Sequence, residues 1–484
     1  MKGVAVLVLA YLLILGFICQ QRLDQGIHCT FDLGIHDQTV WLCAQGLPPM
    51  LTTRGLLAQA DHFSPIAWAL APIYWLWNSP SALIGLQTLW LGLGAFPVFA
   101  LARHYGLTPR LSLGAAGLYL CQGCLHYSNV FDFHFSTLAT TPLLLACLAL
   151  ERKDPWLYAT AALTAMACSE TTAVPLLALS PVAWIKAGPR FGLATLGLGL
   201  GGGALARMSI EWHNQGPTQY GLLYSHLANG GGVLAHLLRW DCLNYLLELF
   251  GPLLGLPLLA PLELLPGIPV LLGNLVSWRG TQQTIHFHYT AALLPFLMWA
   301  TVTSLARWKA YPRRVGWGLA LGCLIGLAVG PLAPGHWPPA ERQAGPALDL
   351  LRRHLPAEGP ISLPNRLGGS LSHRAQAYLF PNPMMPVAWG SGRQALIDQT
   401  VMGADPYLPG EWRRALDRIG TERIIIAPGL SSEFPLNRPD RRYLEGEVLN
   451  CPGYGIERWD QGVMVLKRGL PQHYGAGVLP EGQP

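Results

Sequence analysis

The chain has 484 residues, of which 51% are hydrophobic and only 12% are charged, and its formal net charge is +5. Soluble domains usually carry about twice that charged fraction, and a weak net charge without a basic block argues against a nucleic-acid partner. Gly and Pro are abundant, as in membrane helices, and the many Trp and Tyr suit the aromatic belts at membrane interfaces. Composition therefore favours an integral membrane protein.

Apolar runs in chain order predict roughly eleven membrane spans, several of them shorter than the usual ~20 residues. The first run, Val4–Cys19, lacks a small-residue cleavage site and is followed by further spans, so it is interpreted as a retained helix rather than a signal peptide. The remaining predicted spans are Ser81–Ala102, Leu111–Leu125, Ser136–Leu150, Trp156–Cys168, Thr172–Ile185, Phe191–Ala206, Leu243–Leu259, Leu262–Val276, Ala291–Ala306 and Val315–Gly330. The chain is thus predicted to be mostly α-helical and to cross the membrane many times.

Loop charge predicts the orientation of these spans. Cytoplasmic loops carry an excess of Lys and Arg, and the chain satisfies this rule when its N-terminus is cytoplasmic. The basic residues that then lie inside are Arg103, Arg110, Arg152, Lys153, Lys186, Arg190, Arg307, Lys309, Arg313 and Arg314. The pattern predicts a multi-pass protein of the plasma membrane, which in a bacterium is the inner membrane.

One apolar segment, Phe63–Trp77, breaks this alternation. Counting it as a span would invert every later helix, so it is predicted to be a helix that lies in the outer interface. Ser64 would supply its N-cap and Pro65 its first-turn residue. The segment follows a first loop (residues 20–62) that is predicted to lie outside.

The character of the chain changes after residue 333, where a transmembrane domain (1–333) gives way to a polar domain (334–484). An odd number of spans puts this second domain outside the cytoplasm, and ~150 residues are enough to bury a core. Its predicted elements are the charged helices Ala344–His354 and Glu411–Ile419 and the strands Arg423–Ala427 and Gly462–Lys467. We therefore expect a soluble α+β domain on the non-cytoplasmic side.

The cysteines give little functional information. Most of the 10 Cys lie in apolar runs, where a thiol behaves as a small hydrophobe. Cys121 and Cys124 form a C-x-x-C pair within a span, without a second pair that would indicate a metal site. Cys29 and Cys43 share the first loop and could form a disulfide, although nothing in the sequence requires it.

Ionisable residues gather on the predicted outer side. They are Asp32, His36, Asp37, Asp61 and His62 in the first loop, Asp132 and His134 in the second outer loop, Glu170 in a helical hairpin, and Arg279, His286 and His288 before the run that starts at Ala291. Charged groups at membrane depth are costly and tend to mark functional sites, which draws attention to Glu170. The hypothesis of an outer site depends on this convergence.

Each of these residues also has a structural interpretation. Asp32 could be the N-cap of a helix that starts at Leu33. Single histidines are common at membrane interfaces, and the spacing of His286 and His288 is a weak metal signal because zinc takes three or four ligands. Glu170 could simply pair with a nearby cation or a backbone amide.

Several strings of residues lie at or near these positions. They are Phe31-Asp32-Leu33-Gly34-Ile35-His36-Asp37-Gln38 with Trp41 and Gly46, Asp61-His62-Phe63-Ser64-Pro65, Asp132-Phe133-His134, Ser169-Glu170, His288-Tyr289-Thr290-Ala291 with Pro295-Phe296, Leu363-Pro364-Asn365-Arg366-Leu367-Gly368, and Ser372-His373-Arg374. Together these strings resemble the domain-of-unknown-function family 2079 of predicted polytopic membrane proteins. The resemblance runs from about residue 10 to about residue 470.

The layout of that family is similar to the GT-C superfamily of glycosyltransferases. The resemblance implies a lipid-phosphate-linked sugar donor, an acidic first outer loop followed by interfacial helices, and a soluble outer domain at the C-terminus. It makes Asp32 the counterpart of the first-loop acidic residue. The chain departs from the pattern at His36, where a hydrophobic or aromatic residue is expected, and at Leu363-Pro364, where small residues usually lead into Asn365-Arg366.

Sugar transfer from a polyprenyl phosphate needs a base for the acceptor hydroxyl and a counter-charge for the departing phosphate. We therefore predict a membrane glycosyltransferase that acts on an unknown glycan, lipid or protein acceptor. Asp32 is the expected base, with Asp37 or Asp132 as a second catalytic carboxylate. The expected substrate-binding residues are Asp61, His62, His134, Glu170, Arg279, His286 and His288. No cofactor is required by the sequence, but Mg²⁺ or Mn²⁺ could bind, with Asp32, Asp132, His134 and His288 as candidate ligands.

Two other classes of protein fit parts of the pattern. An ion-coupled transporter would explain the intramembrane Glu170 and the Gly- and Pro-broken helices. A non-catalytic scaffold would simply present the outer domain. The polar residues gather at one face rather than at mid-membrane, which favours the transferase over the transporter.

Overall fold

The structure is a computed structural model that describes residues 1–54, 56–214, 236–335, 344–380, 421–427 and 453–471, together with a few isolated positions. Two compact units are present. The helical unit consists of Met1–Cys19, His62–Ala69 and Leu83–Pro339. The sheet unit consists of Gln20–Asp61, Leu70–Ala82 and Ala340–Pro484. The division does not follow the linear boundary at residue 333, because the first loop groups with the C-terminal domain.

Helices make up most of the described part of the chain, and every predicted span contains at least part of one. In chain order these are α1 (Lys2–Asp24), α2 (Ile35–Ala44), α3 (Ala58–Asp61), α4 (Ile66–Leu70), α5 (Ile73–Leu76), α6 (Ser81–Leu93), α7 (Ala95–His104), α8 (Pro109–Leu120), α9 (Gly123–Val130), α10 (Thr140–Arg152), α11 (Pro155–Cys168), α12 (Ala173–Ala187), α13 (Pro189–Asn214), α14 (Trp240–Phe250), α15 (Pro261–Leu264), α16 (Ile268–Val276), α17 (Leu294–Arg307), α18 (Pro312–Val329) and α19 (Gly345–His354). The prediction of a mostly helical chain is confirmed.

Three helical stretches within the described residues are long and apolar enough to cross a membrane. They are Lys2–Asp24, Ser81–His104 and Pro189–His213. Many other helices of the helical unit are shorter than the ~20 residues of a typical span. The total of roughly eleven spans therefore stays a prediction.

Helix starts follow local sequence signals. The Thr108 hydroxyl accepts the Leu111 N–H at the start of α8, and Pro109 occupies the first turn. In the same way the Asp154 carboxylate accepts two N–H groups at the start of α11, where Pro155 is the first residue. A capping oxygen followed by Pro satisfies free backbone donors and fixes φ for the helix, so these two boundaries are specified by sequence.

The segment predicted as one interfacial helix, Phe63–Trp77, is two short helices, α4 and α5, with Pro72 between them. The Ser64 hydroxyl donates to the Cys168 carbonyl at 3.0 Å, and its role as the N-cap stays a prediction. Large apolar side chains nevertheless face outward, with Trp75 70% and Leu76 90% exposed. Exposed aromatic and aliphatic side chains of this kind are expected at a membrane interface.

The sheet unit contains a five-stranded mixed sheet. Its strands are β3 (Ile361–Leu363), β4 (Ala377–Leu379), β5 (Arg423–Ile426), β6 (Tyr454–Asp460) and β7 (Val463–Arg468). The strand order in the sheet is β4–β3–β5–β7–β6. β3 pairs in parallel with β4 and β5, and β7 pairs antiparallel with β5 and β6. A hairpin in the first loop, β1 (Met50–Leu51) and β2 (Leu56–Leu57), completes the strands described.

The α+β prediction for the C-terminal domain is confirmed in its described part. The predicted helix Ala344–His354 is α19, and both predicted strands occur as β5 and β7, whereas Glu411–Ile419 lies outside the described residues. The apolar face of α19, including Leu348 and Leu351, packs in one core with the sheet. Apolar burial against the sheet stabilises this helix more than its own propensity does.

Candidate active site

The Asp32 turn, which we define as residues Thr30–Gly34, precedes α2 and is held by the C-terminal chain of the same sheet unit. The Thr30 hydroxyl lies 2.8 Å from the Pro364 carbonyl and 3.0 Å from the Asn365 carbonyl. The Phe31 N–H donates to Asn365 Oδ1 at 3.1 Å. The approach is close, since a Cβ on Gly368 would lie 1.8 Å from Thr30 Oγ1. Only glycine fits there, which explains its place in the string that starts at Leu363.

Asp32 is not a helix cap, so that alternative interpretation is wrong. The N-cap of α2 is Gly34, which has no side chain, and the turn itself is capped by Cys29. Asp32 is half-buried within the turn. A carboxylate that is partly open and has a fixed backbone can approach a substrate without reorganising the loop.

Asp37, the second first-loop carboxylate, is fully buried in α2. It accepts hydrogen bonds from the Tyr74 hydroxyl at 2.5 Å and the Ser372 hydroxyl at 3.0 Å, and it pairs with His373 Nδ1 at 3.0 Å. Burial and the neighbouring Asp37 charge raise the pKa of Tyr74 well above its usual value, so the phenol stays a donor. Asp37 therefore anchors three segments of the sheet unit.

Asp61 forms a buried ion pair with Arg54, 2.8 Å between Oδ1 and Nη2. The Arg54 guanidinium also lies 4.8 Å from the centre of the Phe31 ring, in cation–π geometry. Sequence reasoning missed Arg54, because a single arginine in a loop carries no pattern. The pair fixes the end of the first loop next to the residue that precedes Asp32.

Glu170 binds the start of the interfacial segment within the helical unit. One of its oxygens lies 2.8 Å from His62 Nδ1, and the other accepts the Phe63 N–H at 3.1 Å. The carboxylate is 9% exposed, whereas the His62 side chain is 45% exposed. Pairing with a backbone amide, one of the structural interpretations of Glu170, is thus realised in the structure, and the His62 imidazole is a second partner.

The loop that carries Asp132 and His134 is organised by Gln87, a buried residue of α6. Gln87 Nε2 donates to the carbonyls of Ser128, Asn129 and Asp132 at 3.2 to 3.3 Å. Its Oε1 accepts the His134 N–H at 3.0 Å and the Thr137 hydroxyl at 2.6 Å. Sequence reasoning missed Gln87 because it lies within a predicted span.

Two of the predicted histidines of the helical unit, His134 and His288, contact each other. The rings of His134 and His288 stack with centroids 3.7 Å apart, and Phe131 stacks on both. His286 instead packs edge-on against Tyr127 at 4.4 Å. Its spacing from His288 therefore does not make the two imidazoles a common ligand pair.

Arg279 lies in the same segment as these histidines, and its Nη1 donates to the Tyr289 hydroxyl at 3.2 Å. Its side chain is exposed. An exposed guanidinium can stabilise an anion, because it stays charged at every physiological pH. His134, His288 and Asp132 offer nitrogen and oxygen atoms of the kind that bind divalent metals.

The candidate residues thus fall into two groups. The sheet unit holds Asp32, Asp37 and Asp61, and also Arg54, Tyr74 and His373, which the site prediction omitted. The helical unit holds His62, Asp132, His134, Glu170, Arg279, His286 and His288. His373 and its neighbours belong to a string that carried the family resemblance, and that string was the only sequence signal for them.

Comparison with known proteins gives a family and a fold. The family model described as "Predicted membrane protein (DUF2079)" matches residues 25–332. No curated protein sequence is significantly similar to the chain. The fold is similar to that of ArnT from Cupriavidus metallidurans bound to undecaprenyl phosphate, with a TM-score of 0.59 at 13% identity over 96% of this chain and 98% of that one.

Two further solved structures are similar. The apo state of the same ArnT aligns with a TM-score of 0.58 at 12% identity, over 96% of this chain and 98% of that chain. The Archaeoglobus fulgidus oligosaccharyltransferase tethered to an acceptor peptide aligns with a TM-score of 0.40 at 12% identity, over 87% of this chain and 69% of that chain. The ArnT alignments confirm the GT-C-like fold that the sequence resemblance predicted.

Proposed function

The chain belongs to this family of predicted membrane proteins, domain of unknown function 2079, and from that premise we propose that it is a membrane glycosyltransferase. It transfers a sugar from a polyprenyl-phosphate donor to an acceptor on the outer face of the membrane. One observation carries the proposal: Asp32 is a half-buried carboxylate in a turn whose backbone is fixed from outside the loop. The similar fold of an ArnT bound to undecaprenyl phosphate supports the class of donor.

In this mechanism Asp32 accepts the proton of the acceptor hydroxyl as the hydroxyl oxygen attacks the anomeric carbon. The bond from that carbon to the phosphate oxygen breaks, and polyprenyl phosphate leaves with the electron pair. General-base assistance of this kind contributes about 10²–10⁴-fold. Asp37 and Asp61 are less suited to the role, because each is buried against fixed partners.

The departing phosphate needs positive charge or hydrogen-bond donors where its negative charge develops. The groups proposed for this role are Arg279, His134 and His288, all of them in the helical unit. A divalent metal ion, Mg²⁺ or Mn²⁺, would supply further Lewis-acid stabilisation if Asp132, His134 and His288 held it. The exposed apolar side chains of α5, Trp75 and Leu76, are the proposed guide for the prenyl chain.

The test uses the purified full-length protein and a panel of polyprenyl-phosphate sugars, with and without Mg²⁺ or Mn²⁺. A donor at a hundredfold excess over its dissociation constant stabilises the folded state by about 2.7 kcal/mol. We expect one donor to raise the melting temperature and to support transfer, and we expect Asp32→Asn to abolish transfer while donor binding remains. Asp24→Asn is the matched control, since Asp24 is a half-exposed carboxylate of the same unit whose side chain, among the residues that the structure describes, contacts Gln20 and Arg352.

The two negative outcomes are informative. Transfer that survives in Asp32→Asn would exclude Asp32 as the base. The absence of a thermal shift for every donor would favour the ion-coupled transporter. One observation supports that second candidate: Lys186 Nζ lies 2.7 Å from both Glu151 and Glu263, a charged cluster inside the helical unit.

A further inference from the structure

We propose that Asn365 and His373 are positioning residues that hold the Asp32 turn in the conformation required for catalysis. The C-terminal domain would then form part of the catalytic apparatus rather than an appended module. This inference rests on the proposed function for its catalytic consequence. The contacts themselves lie entirely within the sheet unit.

The first fixed point precedes Asp32. Asn365 Oδ1 takes the Phe31 N–H, and the adjoining carbonyls take the Thr30 hydroxyl. A backbone bridge between Cys29 and Arg366 extends this contact by one residue on each side. Thr30 is fully buried, so its bonds are shielded from water, whereas loss of the Asn365 side chain would take the acceptor from the part-buried Phe31 N–H.

The second fixed point follows Asp32 and joins Asp37 to the His373 side chain. Both ring nitrogens of His373 face oxygen atoms, Nδ1 at 3.0 Å from Asp37 Oδ1 and Nε2 at 2.6 Å from Asn78 Oδ1. A fully buried carboxylate needs hydrogen-bond partners, and the His373 ring is one of the side chains that contact Asp37 among the described residues. Tyr74 and Trp41 pack edge-on against the ring and hold its plane.

The two fixed points bracket the catalytic residue. Phe31 comes one residue before Asp32, and Asp37 comes five residues after it, and both are bound to the short stretch Asn365–His373. Gln38 adds contacts from its Nε2 to the carbonyls of Arg374 and Ala375 at 3.3 and 3.2 Å. A displacement of ~1 Å at a reacting group can cost about a hundredfold in rate. Asn365 and His373, more than 300 positions away in sequence, would therefore affect the turnover number by fixing the position of Asp32.

The experiment measures loop order and turnover separately in the full-length protein. Hydrogen exchange of the amides from Phe31 to Asp37 reports order, and kcat and KM with the active donor report catalysis. The variants are Asn365→Ala, Asn365→Asp, which keeps the acceptor oxygen, His373→Ala and His373→Gln. His354→Ala is the control, because the bond of its ring within the described part of the chain is to the Leu350 carbonyl of its own helix.

We expect Asn365→Ala and His373→Ala to speed exchange of these amides by about tenfold or more. We also expect them to lower kcat by about 10- to 100-fold while KM for the donor changes less than about twofold. Asn365→Asp should restore both readouts, and His354→Ala should alter neither. If an alanine variant fails to fold, the amide exchange rates and kcat of Asn365→Asp and His373→Gln are compared with those of the wild type to test the proposal.

Unchanged exchange in folded variants would overturn the proposal, and so would faster exchange with unchanged kcat. A wild-type protein that transfers no sugar would refute the proposed function instead. In that case the exchange data would still decide whether Asn365 and His373 hold the turn.

Discussion

Glu170 and His62 form a contact of 2.8 Å between Oε1 and Nδ1, and the second oxygen of Glu170 accepts the N–H of the next residue, Phe63. The carboxylate is thus bonded on both sides to the first residues of the interfacial segment. Glu170 lies on a hairpin between α11 and α12, more than 100 positions along the chain. A residue that the sequence marked as a candidate site is therefore a clamp on the chain that leads into α4.

Replacement of Glu170 tests this clamp. We expect Glu170→Ala to lower the free energy of unfolding by about 1–3 kcal/mol, because the Phe63 N–H loses a charge-assisted hydrogen bond. Glu170→Gln keeps an acceptor oxygen and should cost less. Thermal unfolding in detergent and hydrogen exchange at residues 62–64 provide the measurements. Glu211→Ala is the control, since Glu211 forms an exposed pair with Arg207 one turn earlier on the same helix. Equal losses of unfolding free energy in Glu170→Ala and Glu211→Ala would show that the contacts of Glu170 stabilise the fold no more than an exposed surface pair does.

The reactivity of Cys43 gives a pH test of the first loop. Cys43 and Cys29 are both free thiols in the structure, so the disulfide that the sequence allowed is not formed. Burial raises the pKa of the Cys43 thiol to about 11. Since the thiolate is the nucleophile, the alkylation rate at Cys43 should be low at pH 8 and should rise about tenfold per pH unit until it levels near pH 11.

Mass spectrometry of the peptide that contains Cys43, after timed iodoacetamide treatment, measures this rate. A Cys43→Ser variant removes the signal and identifies the peptide. Complete labelling within minutes at pH 8 would show that the first loop opens and that its enclosed arrangement is not maintained in solution.

The sheet carries a pH-dependent ion pair between β5 and β6. Arg423 Nε and Nη2 donate to the two oxygens of Glu457 at 2.7 and 3.0 Å. The hydrogen bond with Arg423, assisted by Lys467, lowers the pKa of Glu457 below its usual value. A carboxylate with a lowered folded-state pKa stabilises the fold above its unfolded-state pKa, and this contribution is lost as the pH falls through the folded-state value.

We therefore expect Glu457→Gln to destabilise the sheet unit at pH 7 and to match wild type at a pH below the carboxyl range. The difference should be modest, about 1 kcal/mol or less, because the group is partly exposed. Chemical denaturation followed at Trp459, which lies on β6, measures it. A difference that persisted unchanged in acid would mean that the loss comes from packing rather than from the charge.

The sequence predicted those parts of the fold that depend on local patterns. Hydrophobic periodicity placed α19, β5 and β7 within a residue or two, because apolar burial selects the element and capping residues fix its ends. Phe63–Trp77 was predicted as one helix because its apolar character continues through Pro72, although the ring of Pro72 interrupts helical bonding.

The site was harder to predict because its partners are distant in sequence. Asp32 and Asp37 are both aspartates of the first loop. Asp32 is half-buried in a turn, whereas Asp37 is fully buried against Tyr74, Ser372 and His373. Nothing near Asp37 in sequence indicates a partner 336 positions away. Gln87 likewise acquires its role only when α6 meets the loop from Ser128 to Thr137. Tertiary contacts decide such roles, and a pattern of residue types does not contain them.

Lys186 provides the last test, in the helical unit. Its ammonium lies 2.7 Å from Glu151 and from Glu263, and Glu151 also accepts the Tyr105 hydroxyl at 2.5 Å and the Trp299 indole N–H at 3.1 Å. His104 Nε2 is 3.9 Å from Glu151. Two carboxylates of this cluster thus share one lysine.

Removal of Lys186 alone should therefore be far more damaging than removal of the whole cluster. We expect Lys186→Met to lower the free energy of unfolding by about 3–5 kcal/mol, because it leaves buried carboxylates without their counter-ion. The triple variant Lys186→Met, Glu151→Gln, Glu263→Gln should recover most of that loss. Thermal unfolding in detergent gives both values, and sugar transfer by the triple variant separates the two candidate functions. A transferase should keep its activity, since this cluster belongs to none of the proposed catalytic groups, whereas an ion-coupled transporter that used the cluster would lose transport with its stability intact.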